Sequence, residues 1–231
     1  MKKRPIYESK YIEDYDTYNS KKTLAGYFLH KSHKILENFL PNNKKLESIL
    51  EVGAGTGHHF IYLKKKPLKY TLSDASDAML EIAEKKYETE INSGLIELDK
   101  QNATKLTYAD NSFDRLIATH VLEHILSPVD ALEEWNRVVK PGGIISISLP
   151  CDPGMMWRLG RYFGPRANAL KQGVNYDYLQ AIEHVNSIFN LVVFIRHHFN
   201  VVAEDWYPLK VPVADLNLFY TCHIKVEKEQ K

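Results

Sequence analysis

The chain has 231 residues, 44% of them apolar and 26% charged, which suits one large soluble domain or one domain with an appendage. Thirty basic against 29 acidic residues give a formal net charge of +1. No global field therefore draws the chain toward nucleic acid or a membrane, although a local basic patch stays open. The two cysteines, Cys151 and Cys222, are too few for a disulfide framework and fit a reducing cytosol.

Met1 to Pro5 is basic, but Ile6 to Tyr18 is polar and Tyr-rich, without the apolar core of a signal peptide. No stretch reaches the ~18 apolar residues of a bilayer span, so a cytoplasmic location is expected. Tyr11, Tyr15 and Tyr18 recur at helical spacing. They form either a stripe packing an arm onto the body or the aromatic face of a lid over a site. Lys22 to Leu40 predicts a helix, stopped by Pro41-Asn42-Asn43.

Leu46 to Val52 is a short apolar run broken by acids, and Gly53, Gly55 and Gly57 follow at alternate positions. This predicts a buried strand, a tight glycine turn and a helix from about Gly57 to Lys65. Glycines permit positive φ and close backbone approach to a ligand, and the turn's N–H groups favour ligand oxygens or a carboxylate. Leu68 to Leu72 predicts a second strand ending at Ser73-Asp74. Asp74 there can accept both hydroxyls of a ribose. Ser76 caps a predicted helix from Asp77 to about Glu90. Leu95 to Leu98 is a weak third strand and Phe113 to Thr119 a fourth. Pro128 opens a helix running to about Val139, and Ile144 to Leu149 is a fifth strand. Strand and helix alternate through 46–149, which predicts a parallel sheet with its ligand crevice at the carboxyl ends of the strands. Past Pro150 the regularity fails: 151–173 reads as an inserted loop with a short helix. Asp177 to His198 predicts a helix, and Val201 to Trp206 and Leu216 to Val226 two last strands.

The spacing G-x-G-x-G departs from the dinucleotide fingerprint G-x-G-x-x-G. Glu51-Val52-Gly53-Ala54-Gly55-Thr56-Gly57 resembles motif I of class I S-adenosylmethionine (SAM)-dependent methyltransferases, of the type 11 kind. Four later pieces agree in order: Asp74 to Leu80, Asn111 to Ile117, Val121 to Ile125, and Val138 to Gly143. The resemblance covers about residues 46–150. It implies an α/β, Rossmann-like fold with a seven-stranded, mostly parallel sheet, one antiparallel strand and helices on both faces. It also implies an arm or lid at 1–40 and a methyltransferase domain at 41–231, with 151–173 as a substrate-side insertion. SAM is the implied cofactor and a small molecule the implied acceptor, with a glycan, lipid or phosphorylated metabolite precursor as the candidates. Glu51, Gly53, Ala54, Gly55, Gly57, Asp74, Ala75, Met79, Asn102, Ala103, Thr119 and His120 are the implied cofactor contacts. Asn102-Ala103 stands where the family often has an acid and an alanine, and its amide oxygen would accept from the adenine amine.

Methyl transfer to a hydroxyl or protonated amine needs a base. Among the ten histidines, His120 and His124 follow strand four and share a face if that stretch is helical, and His184 follows the insertion. These three are the catalytic candidates; a structural hydrogen bond is the plainer role for each. No metal site is expected, and His197-His198 alone does not argue for one. The Asn/Asp-Pro-Pro-aromatic tetrad of many nucleobase methyltransferases is missing at Ala118-Thr119-His120-Val121. Cys151 as a nucleophile lacks the companion Pro-Cys after strand four. Substrate contacts are expected from Tyr11, Tyr15, Trp157, Arg158 and Arg161. The stretch 155–166 reads as an anion clamp, an interfacial segment making a peripheral membrane contact, an RNA surface or a plain lid hairpin. RNA ranks below the first two, since net charge is near neutral. An RNA or protein methyltransferase, a SAM-binding protein without transfer and a nicotinamide oxidoreductase remain the alternatives.

Overall fold

The computed structural model describes residues 24–38, 40, 46–163, 165–171, 173 and 175–228. Tyr11, Tyr15 and the rest of the expected arm before residue 24 lie outside the described residues.

Seven strands form one sheet: β1 (Ser48–Val52), β2 (Lys69–Asp74), β3 (Ile96–Lys100), β4 (Phe113–Thr119), β5 (Val139–Pro150), β6 (Val201–Tyr207) and β7 (Phe219–Lys225). Their order is β3-β2-β1-β4-β5-β7-β6. β1 to β5 are parallel, and β7 runs antiparallel to both β5 and β6, so one strand is reversed, as the resemblance implies. The order reverses at β1, which makes the crevice beyond its carboxyl end the topological switch point.

Alternation along the central strands divides the apolar residues between two faces. Leu50, Val52, Leu116 and Ala118 join one core with Trp135, Leu191 and Ile195. Ile49 and Ile117 join the other with Leu36, Phe60, Tyr70 and Ala83. The first core lies under α4 (Pro128–Val138) and α8 (Ile188–His198), the second under α1 (Leu24–Asn38) and α2 (Asp77–Lys86). Local chemistry sets these helices. Ser76 Oγ accepts from Met79 N at the start of α2, Asp77 stands in its first turn, and Lys85 and Lys86 stand in its last. Pro128 begins α4, and Ala131, Leu132, Trp135 and Val138 bury one stripe of it.

Several boundaries differ from the pattern-based expectation, each for a tertiary reason. The helix expected at 57–65 is a single 3-10 turn, His58–Tyr62, and Lys66 Nζ donates to its Phe60 carbonyl. The helix expected to reach Glu90 breaks at Tyr87, which separates α2 from α3 (Glu88–Asn92); the Tyr87 hydroxyl donates to Gly57 O. β3 starts one residue later than expected, and β5 begins at Val139, directly after α4. The insertion holds two helices, α5 (Met155–Phe163) and α6 (Pro165–Lys171). Ala214–Leu216 is a 3-10 turn, so β7 opens at Phe219.

The expected helix 177–198 is two helices, α7 (Tyr176–Glu183) and α8, parted at His184 to Ser187. There Val185 N and Asn186 N both donate to Glu123 O, and Ser187 caps α8. The segment Tyr176–His198 is 23 residues long, and an 18-residue window of it reaches a mean hydropathy of 1.2, enough for a bilayer span by length and composition. Its break turns two backbone donors toward a tertiary partner, so the segment is two short helices and not one continuous span.

Candidate active site

The glycine loop leaves β1 with Gly53, Gly55 and Gly57 at φ 61, 53 and 72°, all in the left-handed region that the motif requires. Ala54 N donates to Ser73 O, and Gly57 N to Ala54 O, so the turn is fastened to β2. Asp74, at the end of β2, accepts from Gly55 N through Oδ2 and from Ser76 N through Oδ1, each at 2.8 Å. Its carboxylate is thus fixed with lone pairs left for further donors, as ribose hydroxyls would supply. Ala75 is exposed beside it, and Met79 is buried behind it on α2.

Glu51 is buried beneath the loop and accepts from the Tyr70 hydroxyl at 2.7 Å. Burial pushes its carboxyl up to about 8, with the Tyr70 hydrogen bond offsetting only part of the rise. It is therefore a neutral acid at pH 7, supporting the loop from below. Asn102 Oδ1 already accepts from Thr104 N at 3.0 Å and Thr104 Oγ1 at 2.9 Å. Reading an adenine amine through that oxygen requires the Thr104 hydroxyl to turn away. Ala103 is held by Trp135 Nε1, which donates to its carbonyl at 3.0 Å.

Helix α1 closes over the 3-10 turn with a buried polar network. Glu37 Oε1 lies 2.7 Å from Arg115 NH1 on β4 and 3.1 Å from His59 Nε2. Burial would raise the Glu37 carboxyl, but the His59 hydrogen bond and the Arg115 charge outweigh it and hold the group at about 2. The ionised carboxylate only accepts, so His59 carries its proton on Nε2, and its bare Nδ1 faces His33 Nδ1 at 3.0 Å. Both imidazoles are held below their ordinary range, chiefly by burial. Arg115 Nε donates to Ser146 Oγ at 2.8 Å, Ser146 lies 2.9 Å from His223 Nδ1, and His223 Nε2 donates to Leu36 O at 3.1 Å. One chain of bonds therefore runs from α1 across β4, β5 and β7.

On the other side of β1, β4 ends at buried Thr119. His120 follows with φ 58° and donates its backbone N–H to Ser148 O on β5. Ser32 Oγ gives its proton to Leu29 O and lies 3.0 Å from His120 Nε2, so it accepts from that nitrogen. Burial first, then nearby His124 and His184, holds the His120 imidazole down at about 3. His120 and His124 do not share a helical face, because Leu122–His124 is only a 3-10 turn. Edge-on aromatic contacts run from His120 to Phe219 at 5.5 Å and on to Trp157 at 5.7 Å, which brings the insertion to the strand-four turn.

His124 and His184 meet edge to face at 4.9 Å. Between them and the sheet stand two residues that the sequence reading passed over, Glu123 and Asp152. Glu123 is 2% exposed, its Oε2 has no hydrogen-bond partner among the described residues, and burial pushes its carboxyl up to about 7. Asp152, just beyond β5, places Oδ2 2.8 Å from His184 Nδ1, 3.3 Å from Arg161 NH1 and 3.4 Å from Gln180 Nε2. Burial would raise the Asp152 carboxyl, but His184, Arg161 and Gln180 together hold it below the usual range. Glu123 was visible only as an acid inside an apolar turn, and Asp152 only as the acid after the fifth strand.

Of the three insertion arginines, Arg161 turns inward to Asp152 and Arg166 makes a forked pair with Asp177. Arg158 is exposed. An anion clamp built on three free guanidinium groups therefore does not exist among these residues. Cys151 is fully buried and burial pushes its thiol well above the ordinary range, which makes it a packing residue and not a nucleophile.

Comparison with known proteins fits this geometry. A family profile described as "Methyltransferase domain" matches residues 50–147, the segment from β1 through β5. That segment is less than half of the 231 residues, and the likeness to a methyltransferase domain is a likeness of this segment. The curated demethylmenaquinone methyltransferase of Oceanobacillus iheyensis is 32% identical over 154 residues, 64% of each chain. The ubiquinone/menaquinone biosynthesis C-methyltransferase UbiE of Hydrogenovibrio crunogenus is 30% identical over 58% of this chain and 53% of its own. This chain thus spans about half to two thirds of the curated relatives' length. A SAM-dependent methyltransferase from Aquifex aeolicus shares the fold of the methyltransferase domain with a TM-score of 0.64 at 18% identity, over 95% of this chain and 99% of its own. SAM is the cofactor that this neighbour's name carries. The lone pairs left on Asp74 fit its ribose, and the loop beside them is tight: a Cβ at Gly53 would fall 2.6 Å from Val121 Cγ2 and at Gly57 2.7 Å from Tyr87 Cε2, so a side chain at either position forces a shift.

Proposed function

We propose that this chain is a SAM-dependent methyltransferase acting on a small, weakly acidic acceptor, of which a hydroquinone-like ring is the first to test. One observation carries the reading. The glycine loop after β1, Asp74 at the end of β2, the turn after β4 and Asp152 after β5 converge at the ends of four adjacent strands. The quinone methyltransferases among the relatives support the acceptor class.

When bound, SAM supplies a methyl group on a sulfonium, already activated for transfer. Gly53, Gly55 and Gly57 would carry its methionine part, Asp74 its ribose, and Met79 with Asn102-Ala103 its adenine. His184 is the base. Its Nδ1 lies 2.8 Å from the ionised Asp152 carboxylate, and the tautomer protonated there would leave Nε2 to take a proton from the acceptor. Asp152 stands where it would orient that ring. His120 holds the floor of the acceptor site through Ser32, and Trp157 with Phe219 forms its apolar wall. Met155, Leu159, Tyr162 and Phe163 are exposed on α5 next to Arg158, which supports peripheral contact with a bilayer from which an apolar acceptor would enter.

The test is incubation with isotope-labelled SAM and a panel of hydroquinones, phenols and amines, read by product mass. A labelled methyl on a small acceptor is expected, with turnover lost and SAM affinity kept in His184→Ala. SAM binding with no methylated product across the panel would replace this reading with a SAM-binding protein that does not transfer.

A further inference from the structure

The three side chains Glu123, His124 and His184 have an arrangement that proton transfer alone does not explain. One ligand atom from each falls within 4.8 Å of the others. His124 Nδ1 lies 2.8 Å from the Glu183 carbonyl oxygen, which can only accept, so the proton is on Nδ1 and Nε2 is a bare lone pair. His184 Nδ1 is buried 2.8 Å from Asp152 Oδ2, close enough for an ion pair but without hydrogen-bond geometry among the described residues. Glu123 brings a nearly fully buried carboxyl group with one oxygen unpartnered among the described residues. An imidazole that donates its far N–H to a carbonyl, as His124 does, is how proteins present histidine to a metal, and the second imidazole and the carboxyl each bring a ligand atom to the same place.

We infer that Glu123, His124 and His184 form a binding site for one first-row divalent transition cation. The donor set decides the class: two nitrogens and one carboxylate suit Zn2+, Co2+ or Fe2+, whereas Mg2+ and Ca2+ ask for oxygens. Metal–ligand bonds of about 2.0–2.2 Å put tetrahedral ligand atoms roughly 3.4 Å apart, so the triad must contract by little more than an ångström. Its supports are already tied together. Val185 N and Asn186 N donate to Glu123 O, Asn186 Nδ2 donates to Leu122 O and Ile125 O, and Ile188 N donates to Asp152 O. Three protein ligands leave at least one position open. That position lies at the strand-four turn, where an acceptor oxygen would reach it. With the cation bound His184 is a ligand and no longer the base, and the cation lowers that oxygen's proton affinity in its stead; this role rests on the methyl-transfer reading, and the site itself does not.

The full chain, stripped of metal, is titrated with ZnCl2 by calorimetry and with CoCl2 by visible absorption, in the absence of SAM. One equivalent per chain is expected, with the visible bands of a nitrogen- and oxygen-ligated, low-coordinate Co2+. Glu123→Gln and His124→Gln should each weaken binding at least tenfold, Asp152→Asn about tenfold through His184, and His198→Gln, on the exposed end of α8, not at all. Should Glu123→Gln fail to fold, His124→Gln, whose side chain is 34% exposed, carries the test. Absent saturable binding, or binding that survives the triad variants, overturns the site. SAM titration of the same samples separates the two readings. Metal binding without SAM binding sinks the methyl-transfer reading, and SAM binding without metal binding sinks only the cation.

Discussion

Gly53→Ala tests whether the glycine loop is held against the acceptor-side turn as the geometry requires. Gly53 has φ 61°, and an L-residue in that region costs about 1–2 kcal/mol. The added Cβ would lie 2.6 Å from Val121 Cγ2 and 3.0 Å from Cγ1, well inside a carbon–carbon contact of about 3.5–4.0 Å. Relieving that overlap in a buried turn costs a further ~1–3 kcal/mol. Urea unfolding of Gly53→Ala should therefore show a loss of about 2–5 kcal/mol. The steric share depends on Val121, so a cycle with Val121→Ala should give a coupling of about 1–3 kcal/mol, with the cavity left by the valine cancelling between its arms. A loss under ~0.5 kcal/mol, or no coupling, would refute this packing of the donor loop on the strand-four turn.

Three further outcomes are expected. Asp74→Ala should weaken SAM binding by about 1–3 kcal/mol, the cost of unmade charged hydrogen bonds, and unchanged affinity in calorimetry would remove Asp74 from the site. Glu37 is held at about 2 against 4.5 in the unfolded chain, so its contribution is complete above pH 4.5 and is lost as pH falls toward 2. Glu37→Gln should flatten that acid limb in urea midpoints against pH and lower the plateau by about 3–5 kcal/mol, since it leaves the buried Arg115 unpaired; an unchanged limb would contradict the network. Asp152→Asn should cut turnover about a hundredfold without changing SAM affinity, because an amide lacks the charge that would orient the His184 ring, and full activity would detach Asp152 from the base.

Features dictated by the local backbone were legible in the sequence. Gly53, Gly55 and Gly57 sit where only positive φ closes the turn, and Asp74 sits where the second strand must end. Alternation of strand and helix through 46–149 predicted the parallel sheet, and the family resemblance implied the one reversed strand near its end. Features that depend on distant partners were not legible. Glu37, His59, Arg115 and His223 are spread over nearly the whole chain and meet only when α1 docks on β4, β5 and β7. The apolar periodicity of 177–198 continues through His184 to Ser187, so nothing local marks the break that Glu123 O imposes. Arg161 reads as a free cation until folding sets Asp152 beside it. Glu123 is ordinary as a letter and becomes a site only when His124 and His184 arrive around it.

The central claim is that the loop Gly53–Gly57 with Asp74 holds SAM. Calorimetric titration of the full chain with SAM tests it most directly, with Gly55→Val, which fills the turn at a φ of 53°, as the comparison. The account predicts one SAM bound per chain and no binding by the folded variant. Absence of binding by the folded wild-type chain, or equal affinity in Gly55→Val, would contradict it.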